Sequence, residues 1–120
     1  MRLPVFIEHS RIPVWLSWFS PVDIGAITIG PFVFSRGELD TLVRSHEAIH
    51  WEQYKEVGVI AYPFLYAFYY LLAYVKFKDG AKAYYAIPFE QEAYYFEKDM
   101  SYLKWRRQYA WRMFDYKRPI

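Results

Sequence analysis

The stretch "HEAIHWEQ", residues 46–53, decides how the rest of the chain is interpreted. It lies in a segment, residues 38–56, whose apolar side chains recur at the spacing of an amphipathic helix. Side chains four residues apart on a helix lie one above the other, so His46 and His50 project from one face. The apolar residues share that face, and both imidazoles are therefore expected to point inward.

Two neutral imidazoles one helical turn apart can bind one metal ion. Glu47 lies beside the pair but is rotated around the helix axis, where its carboxylate can reach a water molecule at the metal. The chain has no cysteine, so any metal must be bound by His, Asp or Glu. We therefore predict a Zn²⁺ site at His46 and His50; the alternative is an ordinary helix with two unrelated histidines.

The N-terminal region predicts strands. "AITIGPFVF", residues 26–34, is rich in β-branched and aromatic residues, and Pro31 in its middle indicates an edge strand, a bulge or a turn. "PVWLSWF", residues 13–19, is a candidate for another extended segment. We expect a small antiparallel sheet here. A capping box at residues 35–38 is expected to begin the histidine helix, and Gly58 to end it.

The remainder predicts helices. Residues 57–75 carry no charge, and we interpret them as a helix that backs the histidine helix. A further helix is expected from Pro88, and the basic stretch 102–120 is expected to be helical as well. The fold class is therefore α+β and mainly α, with a single domain over residues 1–120.

Composition limits the partners. A net charge of +2 makes a nucleic-acid partner unlikely for the whole chain. A membrane surface is an alternative partner, through residues 57–75 or through the basic C-terminal helix at residues 102–120. The absence of cysteine and the lack of a signal-peptide pattern in "MRLPVFIEHS" predict a cytoplasmic location, with membrane association as the alternative.

A zinc hydrolase needs a third protein ligand. Glu56 lies six residues after His50, but Gln53 stands where a helix-ending glycine would be needed to turn Glu56 towards the metal. His9 is far upstream, beside a Glu and a Ser, and a surface or capping role is expected for it. The stretch "PFEQEAY", residues 88–94, supplies the remaining candidates, Glu90 and Glu92.

This organisation resembles the gluzincin metallopeptidases, in which a strand pair and an H-E-x-x-H helix are followed by a backing helix and a glutamate helix. The likeness is strongest to very small bacterial and phage members with H-E-x-x-H-x-x-Q and F-E-x-E-A-Y motifs. It implies that Glu90 is the third zinc ligand. Tyr94 then occupies the place of an Asp that orients a ligand histidine in the family. The alternative alignment makes Glu92 the ligand and puts Phe96 in that place.

The resemblance implies a zinc-dependent peptidase that acts on a peptide or protein substrate. Glu47 would be the catalytic base, and an edge strand within residues 26–34 would align the substrate. Gln53 returns to the metal face one turn after His50, where its amide can hold a ligand carboxylate or a substrate amide; the alternative is an ordinary polar helix residue. The alternative function is a non-catalytic metal-binding interaction protein.

Overall fold

The computed structural model describes residues 4–17, 25–38 and 40–119. Its strands and helices are, in chain order, β1 Val5–Ile7, α1 Ile12–Ser17, β2 Ala26–Ile29, β3 Phe32–Ser35, α2 Thr41–Val57, α3 Ala61–Phe77, α4 Gly80–Ala86, α5 Pro88–Phe96, α6 Tyr102–Trp105 and a 3₁₀ helix Ala110–Met113. The chain is mainly helical with a small N-terminal sheet, which confirms the α+β prediction.

The sheet is mixed, with β3 at its centre. β2 and β3 form the expected antiparallel pair, and Gly30 and Pro31 make the turn between them. Gly30 has a φ of 58°, which favours glycine. β1, however, pairs with β3 in parallel, so the expectation of a purely antiparallel sheet is wrong. The long connection from β1 to β3, which includes α1, allows this crossover.

The segment predicted to be extended at residues 13–19 contains a helix instead. The backbone N–H of Ile12 donates to the Ser10 hydroxyl at 3.2 Å, and Pro13 lies in the first turn, where its missing N–H costs nothing. The prediction is therefore wrong for residues 13–17, because a serine cap and an early proline favour a helix start. Residues 18 and 19 lie outside the described residues.

Helix α2 begins later than the sequence indicated. Asp40 is its N-cap, and the Asp40 side chain accepts a hydrogen bond from the Val43 N–H at 2.8 Å. The capping box predicted at residues 35–38 is wrong, because Ser35 is still part of β3. Gly58 ends the helix as expected, with a φ of 109° and its N–H donating to the Tyr54 carbonyl.

Helix α3 turns back from α2 and packs against it. Tyr62 of α3 is buried in an aromatic core cluster that includes Trp51 and Tyr54 of α2 and Phe89 of α5. α3 thus backs the histidine helix, although it begins at Ala61 and not at residue 57. Among the described residues, no single helix has the length and apolarity to cross a bilayer; α2 and α3 meet that test only together, bent by 108°.

The C-terminal region does not form the expected basic helix. α5 begins at Pro88 as predicted, but the chain after it folds into the short α6 and the 3₁₀ helix. Trp111 is buried in the same core cluster as Phe89. The expectation of a helix over residues 102–120 is wrong because Arg106 turns inward between two buried carboxylates, which ends α6.

Candidate metal centre

His46, His50 and Glu90 converge in the protein interior. The two histidines lie one turn apart on α2, and Glu90 lies in the first turn of α5, which packs against α2. The Glu90 Oε1 atom is 3.2 Å from His46 Nε2 and 3.1 Å from His50 Nε2, and the two Nε2 atoms are 3.2 Å apart. All three side chains are buried, and together they can hold a metal ion.

A carboxylate orients the first histidine. His46 Nδ1 lies 2.7 Å from Glu97 Oε2, at the C-terminal end of α5. This bond fixes the ring so that Nε2 faces Glu90, which is the arrangement that metal-binding histidines commonly have. Tyr94, which the resemblance aligned with an orienting Asp, packs its ring edge-on against His46 with centroids 4.4 Å apart. The negative charge that orients His46 therefore comes from Glu97, about one helical turn after Tyr94.

The second histidine is held by an amide. His50 Nδ1 donates to Gln53 Oε1 at 2.8 Å, which leaves His50 Nε2 free to face Glu90. The Gln53 amide N–H₂ in turn donates to the Phe89 carbonyl and to Glu92 Oε1, both at 3.0 Å. Gln53 is fully buried and links α2 to α5, so its side chain positions His50 and is not directed at solvent.

Glu92, the alternative third ligand, lies in a separate ionic network. Its carboxylate accepts hydrogen bonds from the Tyr102 hydroxyl at 2.7 Å and from Arg106 Nε at 2.6 Å. Arg106 also makes two hydrogen bonds of 2.9 Å to the Glu56 carboxylate. Glu92 and Glu56 are thus both bound by one buried guanidinium and do not join the histidines. The exposed His9 follows β1, outside this group as well.

Charge within the cluster shifts the pKa values of its members. Burial alone would lower the pKa of His46, but its bonds to Glu90 and Glu97 outweigh burial and raise it to about 10. Burial would likewise lower the pKa of His50, and the Glu90 charge raises it instead. Burial would raise the pKa of Glu90, yet the two histidines hold it well below its usual range. In the absence of metal, the raised pKa keeps a proton on the His46 imidazole at neutral pH.

Two side chains outside the histidine helix hold the remaining carboxylates of the site. The Tyr66 hydroxyl of α3 donates to Glu90 Oε2 at 2.6 Å, which leaves Oε1 facing the histidines. Thr28 of β2 donates its hydroxyl to Glu47 Oε2 at 2.6 Å, and Tyr54 donates to the Thr28 carbonyl at 3.1 Å. The Glu47 carboxylate is thereby fixed against the sheet.

A cleft of about 870 Å³ leads to these groups. Residues 25–28 form one wall, and Tyr66 and Tyr70 of α3 contribute to another. Within the described residues β2 pairs with β3 alone, so the far edge of β2 is open beside the cleft. Tyr84 and Tyr94 also line the cleft, with their hydroxyl oxygens 3.0 Å apart. Burial raises the pKa of both phenols, so both remain protonated donors.

Several residues of the site were not identified from the sequence. The spacing of Glu97 could have identified it, because it lies seven residues after Glu90 and therefore returns to the same face of the helix. Thr28 and Tyr66 had none, since strand register and the choice among thirteen tyrosines depend on tertiary packing. Arg106 was attributed to a basic surface, although its side chain is only 5% exposed.

Comparison with family models, with curated proteins and with solved structures finds no match to this chain.

Proposed function

We propose that this protein is a zinc-dependent hydrolase that cleaves peptide bonds. The observation that carries the proposal is the position of Glu47 in the cleft wall, next to a buried His46, His50 and Glu90 group. A non-catalytic metal site needs the three ligands but has no use for an additional carboxylate, buried and held by a threonine in the wall of the cleft.

The three donors fit zinc. Two imidazole nitrogens and one carboxylate oxygen make the His₂Glu set of catalytic zinc sites, which leaves a coordination position open. Each imidazole is already oriented through its Nδ1 atom, by Glu97 or by Gln53. When bound, Zn²⁺ would polarise the substrate carbonyl and lower the pKa of a coordinated water.

Glu47 is the proposed base. Its carboxylate would take a proton from the attacking water and later give it to the leaving amine. The bond from Thr28 occupies Oε2 and fixes the carboxylate plane, so Oε1 is the atom assigned to proton transfer. Thr28 therefore limits the rotation of the base and keeps it oriented into the cleft.

The open edge of β2 suits an extended peptide. A substrate strand could pair with the backbone of β2 and pass Glu47 and the histidines, which line the same cleft. The phenols of Tyr84 and Tyr94 face this space and keep their protons, so they are candidates to donate to the substrate carbonyl oxygen. These features favour a peptide over a small compact substrate.

The test replaces Glu47 with Gln, which keeps the side-chain shape and the bond to Thr28. Zinc-loaded Glu47→Gln should retain wild-type zinc content, while kcat/KM on a quenched-fluorescence peptide library falls by about 10²- to 10⁴-fold. Glu52→Gln, on the same helix, is the matched control and should cleave like the wild type. Zinc-loaded wild type that cleaves none of the library would favour the non-catalytic metal-binding alternative. Unchanged cleavage by Glu47→Gln would exclude Glu47 as the base.

A further inference from the structure

Helix α3 and its N-cap residue, Ile60, present a row of large apolar side chains to solvent. The row recurs at intervals of three and four residues, which places its members on one helix face. We call it the α3 stripe; its members and their exposed fractions are Ile60 79%, Phe64 75%, Phe68 54%, Leu71 60% and Val75 72%. Such a continuous apolar row on a surface marks an interaction site.

The fold and the cleft use other faces of the same helix. Tyr62 and Ala73 of α3 are buried in the core, and Tyr66 and Tyr70 line the cleft. On an ideal helix these four positions lie on the opposite side of the helix axis from the α3 stripe. The stripe therefore has no evident role in folding or in the proposed chemistry, and its apolar character needs another explanation.

The apolar surface continues from the stripe onto the sheet. Val59 precedes Ile60 and is 49% exposed. Its side chain packs beside Gly30, because the Val59 Cγ1 atom lies 3.4 Å from the position that a Cβ atom on Gly30 would occupy. Gly30 is in the β2–β3 turn, which Ile29 and Phe32 flank with exposed fractions of 45% and 44%. The turn and the N-terminal end of α3 thus form one contact surface.

Basic residues surround the C-terminal end of the stripe. Residues 57–78 contain no Asp or Glu. The exposed cations at this end are Lys76, Lys78, Lys82, Lys117 and Arg118. Lys76 Nζ donates to the Lys117 carbonyl, which brings the C-terminal cations to this end of α3. Two acidic residues lie nearby in the chain, Asp79 and Asp115, and both accept backbone N–H groups in local turns.

We propose that the α3 stripe binds the surface of an anionic lipid bilayer, with α3 lying in the plane of the interface. The apolar side chains would enter the boundary between headgroups and acyl chains, as the exposed face of an interfacial helix does. The lysines at its end would meet anionic headgroups. A second copy of the chain fits less well, because the same face would bring the same five cations and only two carboxylates, both of which already accept backbone N–H groups in local turns.

The test measures co-sedimentation of the full zinc-loaded protein with vesicles of phosphatidylcholine and phosphatidylserine. Phe64→Ser with Val75→Ser should lower the partition coefficient by at least about tenfold. Met100→Ser with Met113→Ser is the matched control, because these residues are 53% and 64% exposed elsewhere on the surface and should leave binding unchanged. Circular dichroism and peptide cleavage would verify that both variants remain folded.

Charge is tested separately. Lys78→Gln with Lys82→Gln should weaken binding to the anionic vesicles several-fold and leave the weak binding to pure phosphatidylcholine unchanged. The proposal is overturned if the wild type does not sediment with anionic vesicles at physiological salt, or if the stripe variant binds as well as the wild type. A wild-type dimer that the stripe variant converts to a monomer, without vesicle binding, would instead assign the stripe to a second copy of the chain.

Discussion

Replacing Glu97 with Gln is expected to weaken zinc binding while leaving the fold intact. Glu97 is the orienting carboxylate that was not identified from the sequence, and its Oε2 atom lies 2.7 Å from His46 Nδ1. A Gln side chain has the same shape and can still accept that N–H. The substitution therefore removes the charge of the partner and keeps the hydrogen bond.

The magnitude follows from that contact. The Glu97 side chain is only 15% exposed, so water screens its charge weakly. Loss of such an orienting partner typically costs about 10- to 100-fold in metal affinity. This corresponds to about 1.4–2.7 kcal/mol of zinc-binding free energy. Glu97→Ala, which removes the hydrogen bond as well, should lie at or beyond the upper end of this range.

Competition with a fluorescent zinc chelator at fixed pH would measure the affinity. The matched control is Glu52→Gln, which removes one charge from α2 at a residue that pairs with Lys55 on the surface. We expect the control to bind zinc like the wild type. If Glu97→Gln also binds zinc within about twofold of the wild type, the idea that Glu97 orients His46 through its charge is refuted.

Two further predictions concern stability and pH. Arg106→Met leaves two buried carboxylates without their cation and should lower the free energy of unfolding, measured by urea titration, by about 3–5 kcal/mol. The control Arg107→Met, at the exposed neighbouring residue, should change this free energy little. Equal effects of the two substitutions would contradict the buried network. The pKa of His46 is raised to about 10 without metal, so zinc must displace its proton at neutral pH. Zinc affinity should therefore rise with pH, by about tenfold per pH unit for each proton released. Calorimetry in two buffers with different ionisation enthalpies would detect the released protons. A zinc affinity that does not change between about pH 6 and 9 would contradict the proposed ligands.

The sequence predicted the parts of the molecule that depend on local periodicity. The spacing of His46 and His50 placed both imidazoles on the buried face of α2, where the structure has them. Gly58 and Pro88 marked a helix end and a helix start correctly, because each has a conformational preference that operates within one turn. The choice of Glu90 as the partner of the histidines came from the resemblance, and in the structure Glu90 lies between them.

The parts that the sequence did not predict depend on contacts between distant segments. Arg106 appeared to belong to a basic surface because its two carboxylate partners are 14 and 50 residues away. The parallel pairing of β1 with β3 likewise depends on a crossover that no local pattern encodes. The start of α2 also depends on a neighbouring segment. Ser35 and Asp40 are both suitable N-cap residues, but Ser35 belongs to β3, so the helix begins after Asp40.

The proposed function depends on one zinc ion bound by His46, His50 and Glu90. The most direct test is an anomalous difference map from crystals of the zinc-loaded protein, with data collected above and below the zinc absorption edge. We predict a single strong peak bonded to Nε2 of both histidines and to a carboxylate oxygen of Glu90. A zinc-loaded crystal with no peak between these three side chains, or with zinc bound by Glu92 in place of Glu90, would show that His46, His50 and Glu90 are not the zinc ligands.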